Sequence, residues 1–290
     1  MASPGASAPT PHREVQGVRV PCLIYGTAWK EGRTAALTRQ ALDAGFRAID
    51  TANQRRHYHE AAVGEAVQAA MREGRVTRDD LFIQTKFTFA EGQDHRLPYD
   101  PRAPVEAQVE QSFASSLEHL GVERLDAYLL HGPSKGEGLG DRDWEAWRAM
   151  EALQRAGRTR IIGVSNVTAR QLEETYKGAS VRPAIVQNRC FTRPIVDRKV
   201  REFCKERGVV YEAFSLLTGS PGLLAHPTLR AIAARVGKTP AQVVFRFAIE
   251  QGWVALTGTA SRQHMGDDLD ALSFALQADE VEDIANRLGA

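Results

Sequence analysis

The chain is short of cysteine, of net charge and of long apolar runs, and each shortage closes off a class of function. Its three cysteines, Cys22, Cys190 and Cys204, are odd in number and far apart. They show no metal-ligand spacing and no disulfide framework, and fit the reduced thiols of a cytosolic protein. The 37 basic and 36 acidic residues leave a formal net charge of +1. That balance gives no electrostatic footprint for nucleic acid or for an anionic membrane surface. No apolar run approaches the ~20 residues that a membrane-spanning helix needs. The opening "MASPGASAPTPHRE" lacks the basic start and apolar centre of a secretory signal. Residues 1–14 are therefore expected to be a flexible lead-in, and residues 15–290 a single domain.

A Gly-rich dinucleotide turn is also missing. The segment after the first apolar run, "GTAWKEGRT", does not match G-x-G-x-x-G, and "GEGLG" (136–140) lies inside a long polar loop. What is present is a regular alternation. Short β-type runs ("CLIYGTA", "FRAIDTA", "DLFIQTK", "LDAYLLH", "RIIGVSN", "AIVQNR", "VVYEAFS", "VALTGT") each precede an amphipathic segment of helical spacing. Gly45, Gly121, Gly157 and Gly208 close helical segments, and Thr168 stands where an N-cap is needed. Eight such units predict a (β/α)8 barrel, a TIM barrel, as one domain, and 290 residues is an ordinary length for it.

Barrels of this kind carry their chemistry at the C-terminal ends of the strands. The second strand ends at Asp50 and leads through "DTANQRRHYHE" to Tyr58; the third ends at Lys86 and the fourth at His131. An ammonium near a phenol favours the phenolate, a carboxylate holds the ammonium, and a histidine orients a carbonyl. That set suits carbonyl reduction, with a proton to oxygen and a hydride to carbon. No side chain supplies hydride, so a nicotinamide cofactor is required. Ser165, Asn166 and Gln187 are the right types to bond a carboxamide, and Phe214 could stack on the ring.

The ordered stretches "GFRAIDTA", "HYHEAAVGEAV", "FIQTKF", "LDAYLLHGP", "RIIGVSN" and "YEAFSLL" span roughly residues 15 to 275 and resemble the aldo-keto reductase family. The resemblance implies the catalytic set Asp50, Tyr58, Lys86 and His131. It also implies reduction of a small-molecule aldehyde or ketone with NADPH (NADH is not excluded), without a metal, in the cytoplasm. Cofactor contacts would come from Gly26, Thr27, Asp50, Ser165, Asn166, Gln187, Phe214, Ser215 and Leu217, then Gly258, Thr259, Ser261, Arg262, His264 and Asp268.

Two departures from the family pattern stand out. The family motif D-T-A-x-x-Y-x-N-E is two residues longer here, so counting back from Glu60 puts His57 at the tyrosine position, while Tyr58 is the tyrosine at hand. The usual Lys-Ser after the eighth strand reads Gly258-Thr259, and a later Arg reads His264, leaving Arg262 as a substitute grip for a 2′-phosphate. A metal-dependent hydrolase using the "HYH" pair, His57 and His59, is one alternative, and a cofactor-binding regulatory subunit with little turnover is another. "WEAW" (144–147) reads as helix packing. The loop "FTFAEGQDHRLPYDPRAP", with Phe87, Phe89 and Tyr99, is expected to shape an apolar pocket wall.

Overall fold

The computed structural model describes residues 11–190, 197–219 and 222–288, with side chains described to residue 286. The first elements are β1 (His12–Val15) and β2 (Val18–Pro21), an antiparallel hairpin. Its two-residue turn, Gln16 and Gly17, has positive φ at both positions (49° and 72°), the primed turn that matches strand twist. This corrects the expected lead-in: residues 1–10 lie outside the described residues, but His12–Glu14 belong to a strand.

Eight strands follow: β3 (Leu23–Gly26), β4 (Ala48–Asp50), β5 (Phe82–Phe87), β6 (Leu125–Leu130), β7 (Thr159–Ser165), β8 (Ile185–Arg189), β9 (Val210–Phe214) and β10 (Val254–Thr257). They pair in parallel in sequence order, and β10 closes on β3. Helices connect them: α1 (Thr34–Ala44), α2 (Glu60–Arg72), α3 (Val105–Leu120), α4 (Asp141–Arg155), α5 (Ala169–Gly178), α6 (Arg198–Arg207), and the pair α7 (Pro227–Val236) and α8 (Pro240–Glu250) before β10. Then come α9 (Arg262–Asp270) and α10 (Ala278–Leu288). The expected eightfold barrel is the observed fold.

Parallel strands covered on both faces must be apolar on both, and the two faces feed two cores. Outside the barrel, Ile49, Phe113, Trp147 and Phe245 pack between sheet and helices. Inside, Ile24, Phe82, Leu129, Ile161, Val210 and Leu256 meet Val15, Val18 and Val20 of the hairpin. Phe82 and Val210 are the first residues of their strands, so the hairpin seals the N-terminal end of the barrel. The chemistry is left to the opposite end.

Local signals hold the frame. Thr168 caps α5 by accepting from Gln171 N, while Gln171 Oε1 accepts from Thr168 N at 2.9 Å. Gly64 of α2 lies against α3 so closely that a Cβ would sit 1.9 Å from the His119 carbonyl oxygen. Trp147 is buried and Trp144 packs on Gly178, so "WEAW" is helix packing. Cys22, Cys190 and Cys204 are free and buried. Among the described residues, no helix is long and apolar enough to cross a membrane.

Candidate active site

A cavity of about 940 Å³ opens at the C-terminal ends of the strands. Its floor is built from β4 and β5. Lys86 is fully buried, and its Nζ donates to Asp50 Oδ1 (2.6 Å), Asp50 Oδ2 (2.8 Å) and the Thr51 carbonyl (2.9 Å). The three donor sites of the ammonium are thus filled. Burial opposes its charge, but Asp50 and then Tyr58 outweigh that and hold its pKa above the ordinary value.

Tyr58 reaches this floor through the expanded loop. Tyr58 N and His57 N both donate to the Gln54 carbonyl, at 3.0 and 3.3 Å, so the extra residues form a compact turn with Arg56 at its exposed tip. The turn returns the phenol ring to 5.3 Å from Lys86 Nζ and 5.9 Å from the His131 ring. Glu60, which starts α2, anchors the far side by accepting from the Thr85 hydroxyl, with His119 Nδ1 at 3.0 Å. His57 lines the same cavity on its Trp29 side: its ring lies 3.9 Å from the ring of Trp29, and its carbonyl accepts from Trp29 N. Tyr58, not His57, is therefore the side chain beside Lys86.

The expectation that Lys86 lowers the Tyr58 pKa is corrected in its sum. Burial raises it, Lys86 lowers it and Asp50 raises it, and the net direction is up. The main reason is burial of the phenol, which outweighs the ammonium; the carboxylate that chelates Lys86 within 2.8 Å offsets part of its field as well. Tyr58 is thus held in its proton-bearing form. His131 is pushed down to about 3 by burial, with Lys86 and His57 adding repulsion, so its imidazole is neutral. Its Nδ1 lies 2.7 Å from the Thr88 hydroxyl. Thr88 is braced in turn by Tyr99, whose hydroxyl donates to the Thr88 carbonyl at 2.7 Å.

Along one wall, Ser165 Oγ donates to the Gln187 carbonyl (2.7 Å), and Asn166 Nδ2 donates to the His131 carbonyl (2.8 Å). Asn166 has φ 54°, the left-handed region that asparagine tolerates, which swings its side chain across the strand end. Gln187 Nε2 is committed to two carboxylates, Asp50 and Glu212. Phe214 and Ser215 continue the wall, with the Arg189 guanidinium 5.5 Å from the Phe214 ring. At the other end stand Leu217, Gly258, Thr259, His264 and Asp268. Burial pushes Asp268 up to about 6, against a hydrogen bond from Thr257 Oγ1 (2.6 Å).

The cavity wall therefore includes Gly26, Asp50, Tyr58, His131, Ser165, Asn166, Gln187, Phe214, Ser215, Leu217, Gly258, Thr259, His264 and Asp268, with Lys86 directly beneath. Three expected contacts are not on it. Thr27 is fully buried and donates to the Asp50 carbonyl at 2.9 Å, pinning β3 to β4. Ser261 spends its hydroxyl as the N-cap of α9, and Arg262 points into solvent from the first turn.

The loop aromatics are a further correction: Phe87, Phe89 and Tyr99 are buried against one another, with ring centroids 5.2 and 5.6 Å apart, off the cavity wall. The exposed aromatic at the mouth is Trp29, 67% exposed. Sequence reasoning missed it, along with Lys30, whose Nζ donates to the Gly258 carbonyl. Both lie within four residues of the end of β3, and that placement was the available signal. Among the described residues, no cluster of three or more His, Cys, Asp or Glu is placed to hold a metal.

Comparison with known proteins fits this geometry. The profile of the Aldo/keto reductase family matches residues 24–287. The uncharacterized oxidoreductase YtbE of Bacillus subtilis (strain 168) is 32% identical over 92% of this chain and 89% of its own length. Glyoxal reductase of the same organism is 30% identical, again over 92% and 89%. An aldo-keto reductase of the silkworm Bombyx mori, AKR2E5, solved as a complex with NADPH, superposes with a TM-score of 0.81. It is 26% identical and covers 97% of this chain and 88% of its own. The chain belongs to the aldo/keto reductase family.

Proposed function

We propose that the protein reduces a small-molecule aldehyde or ketone to the alcohol with NADPH, in the cytoplasm, with Tyr58 as the proton donor. The observation that carries this reading is the floor of the cavity. A lysine chelated by Asp50 lies 5.3 Å from the Tyr58 ring, and the ring of a neutral histidine lies 5.9 Å from it.

The wall fits a nicotinamide. Asn166 Oδ1 and Gln187 Oε1 accept no hydrogen bond from the described residues, and a carboxamide NH₂ needs such acceptors. Phe214 offers a ring face beside them, and Lys30 and Arg189 are cations on the same wall, suited to a pyrophosphate. When bound, the cofactor supplies the hydride that the protein lacks.

The chain's own residues do the rest. The Thr88 hydroxyl lies 2.7 Å from His131 Nδ1; in the tautomer that accepts from it, the Nε2 proton is left to bond a carbonyl oxygen. That oxygen is then held beside the Tyr58 hydroxyl, within the reach general acid catalysis requires. As negative charge grows on it, the phenol proton transfers, and Lys86 stabilises the phenolate left behind. Asp50 keeps the lysine aimed and charged. The half-buried phenol limits water at the reacting atoms.

The test is direct: purified protein is mixed with NADPH and a panel of aldehydes and ketones, and cofactor absorbance is followed. Carbonyl-dependent oxidation of NADPH is expected. Tight NADPH binding with no oxidation across the panel would instead favour a regulatory cofactor-binding role.

A further inference from the structure

Glu212 is a carboxyl group that the chemistry above does not use. It lies on β9, is fully buried, and faces the barrel interior between the floor of the cavity and the apolar plug below. Gln84 Nε2 and Gln187 Nε2 both donate to Glu212 Oε2 at 2.8 Å. The same two amides donate to Asp50 Oδ1, at 2.8 and 3.0 Å. Two carboxyl groups from β4 and β9 thus share the amides of β5 and β8. The nearest cation is Lys86 of β5, already bound to Asp50 by two contacts. On the remaining side β10 presents Val254 and Ala255, which carry no charge.

Counting charges shows the difficulty. With Asp50, Lys86 and Glu212 all ionised, a sealed interior holds one uncompensated negative charge, which burial strongly penalises. The hydrogen-bond inventory agrees. Glu212 Oε1 and Gln84 Oε1 are both buried acceptors without a donor among the described residues. A proton on Glu212 turns one of these two orphans into a donor and removes the excess charge.

We propose that Glu212 is a positioning residue acting through Asp50 and Lys86, protonated while Tyr58 donates its proton, and that its ionisation slows carbonyl reduction. The inference rests on the reductase reading above. A second negative charge beside Asp50 draws Lys86 further onto the carboxylates. It also raises the cost of leaving negative charge on the Tyr58 oxygen. Burial and the Asp50 charge push Glu212 up to about 7, against the two amides and Lys86, so the change falls in a physiological range.

The test pairs kinetics with spectroscopy on the full chain. Single-turnover reduction is measured between about pH 5 and 9, a range that brackets the group. The wild type is expected to lose rate by roughly tenfold through neutral pH, the effect of about one unit on the phenol. In Glu212→Gln, which keeps shape and fixes the group neutral, that step is absent. Infrared difference titration reads protonation without turnover. Subtracting the Glu212→Gln titration from that of the wild type removes Asp268, itself pushed up to about 6, and should leave a buried carboxylic acid band that disappears as pH rises. A wild type without the band at acidic pH overturns the proposal, as does a variant with an unchanged rate step. A titrating band in a protein that reduces no carbonyl overturns the reductase reading, and with it this role for Glu212.

Discussion

Replacing Lys86 with methionine removes one charge while keeping most of the buried volume. Lys86 is fully buried and makes three hydrogen bonds, two of them to Asp50. Its loss leaves a carboxylate stranded beside a second carboxyl, Glu212, with the amides of Gln84 and Gln187 as the remaining donors. Breaking a buried pair from one side costs about 3 to 5 kcal/mol. For 290 residues the unfolding entropy is about 0.6 kcal/mol/K, so the melting temperature should fall by about 5 to 8 °C. Removing both partners, as Asp50→Leu with Lys86→Met, leaves no stranded charge, and the two amides retain Glu212. That double variant should melt within about 3 °C of wild type, because a buried pair adds little net stability over an apolar replacement. Catalysis should not follow stability: both variants should lose on the order of 10²- to 10⁴-fold in kcat, the usual weight of proton transfer. Calorimetry and steady-state kinetics on the three proteins decide the matter. A single variant melting within about 2 °C of wild type would refute the reasoning.

Three further outcomes are expected. Glu212 is pushed up from an ordinary 4.5 to about 7, so as pH rises through that window the unfolded chain releases the proton first and the fold loses up to about 3 kcal/mol. Glu212→Gln should abolish that slope in urea unfolding curves measured across the window. Gly64→Ala forces a methyl against the His119 carbonyl and should destabilise by about 1 to 3 kcal/mol, or more if α2 and α3 cannot separate; denaturant midpoints report it. Thr88→Val removes the hydroxyl that orients His131 and should lower kcat/KM about fivefold, the worth of about one hydrogen bond, with NADPH affinity measured by fluorescence unaltered.

Much of this architecture is legible in the sequence, for physical reasons that also mark the limit. A parallel barrel strand is buried on both faces, so it reads as a short apolar run, and all eight runs are strands. A polar residue where such a run ends has to face the mouth, which is why Asp50 and His131 line one cavity with Lys86 beneath them, and the loop after Asp50 brings Tyr58 to the same place. The hairpin escaped because its strands are four residues each and too short for a periodic signal, although Gln16-Gly17 between valines is a turn signature. The aromatic loop misled because hydrophobicity predicts burial but not the direction of it; Phe87, Phe89 and Tyr99 fill the core and brace Thr88. The Glu212 cluster left a trace that strand-end reasoning passes over. Gln84 in "FIQTKF" and Glu212 in "VYEAF" are polar letters inside fully covered strands, and such residues must find each other across the barrel. Thr27 and Ser261 have the chemistry of ligand contacts, but backbone hydrogen bonds occupy them.

The central claim is that Tyr58, and not the neighbouring His57, gives the proton. Single-turnover reduction by Tyr58→Phe tests it most directly, with His57→Ala alongside and NADPH affinity measured for both. The account predicts a rate loss on the order of 10²- to 10⁴-fold for Tyr58→Phe at unchanged NADPH affinity, and less than about tenfold for His57→Ala. A Tyr58→Phe enzyme reducing its carbonyl at near wild-type rate, or a His57→Ala enzyme that is the inactive one, would contradict it.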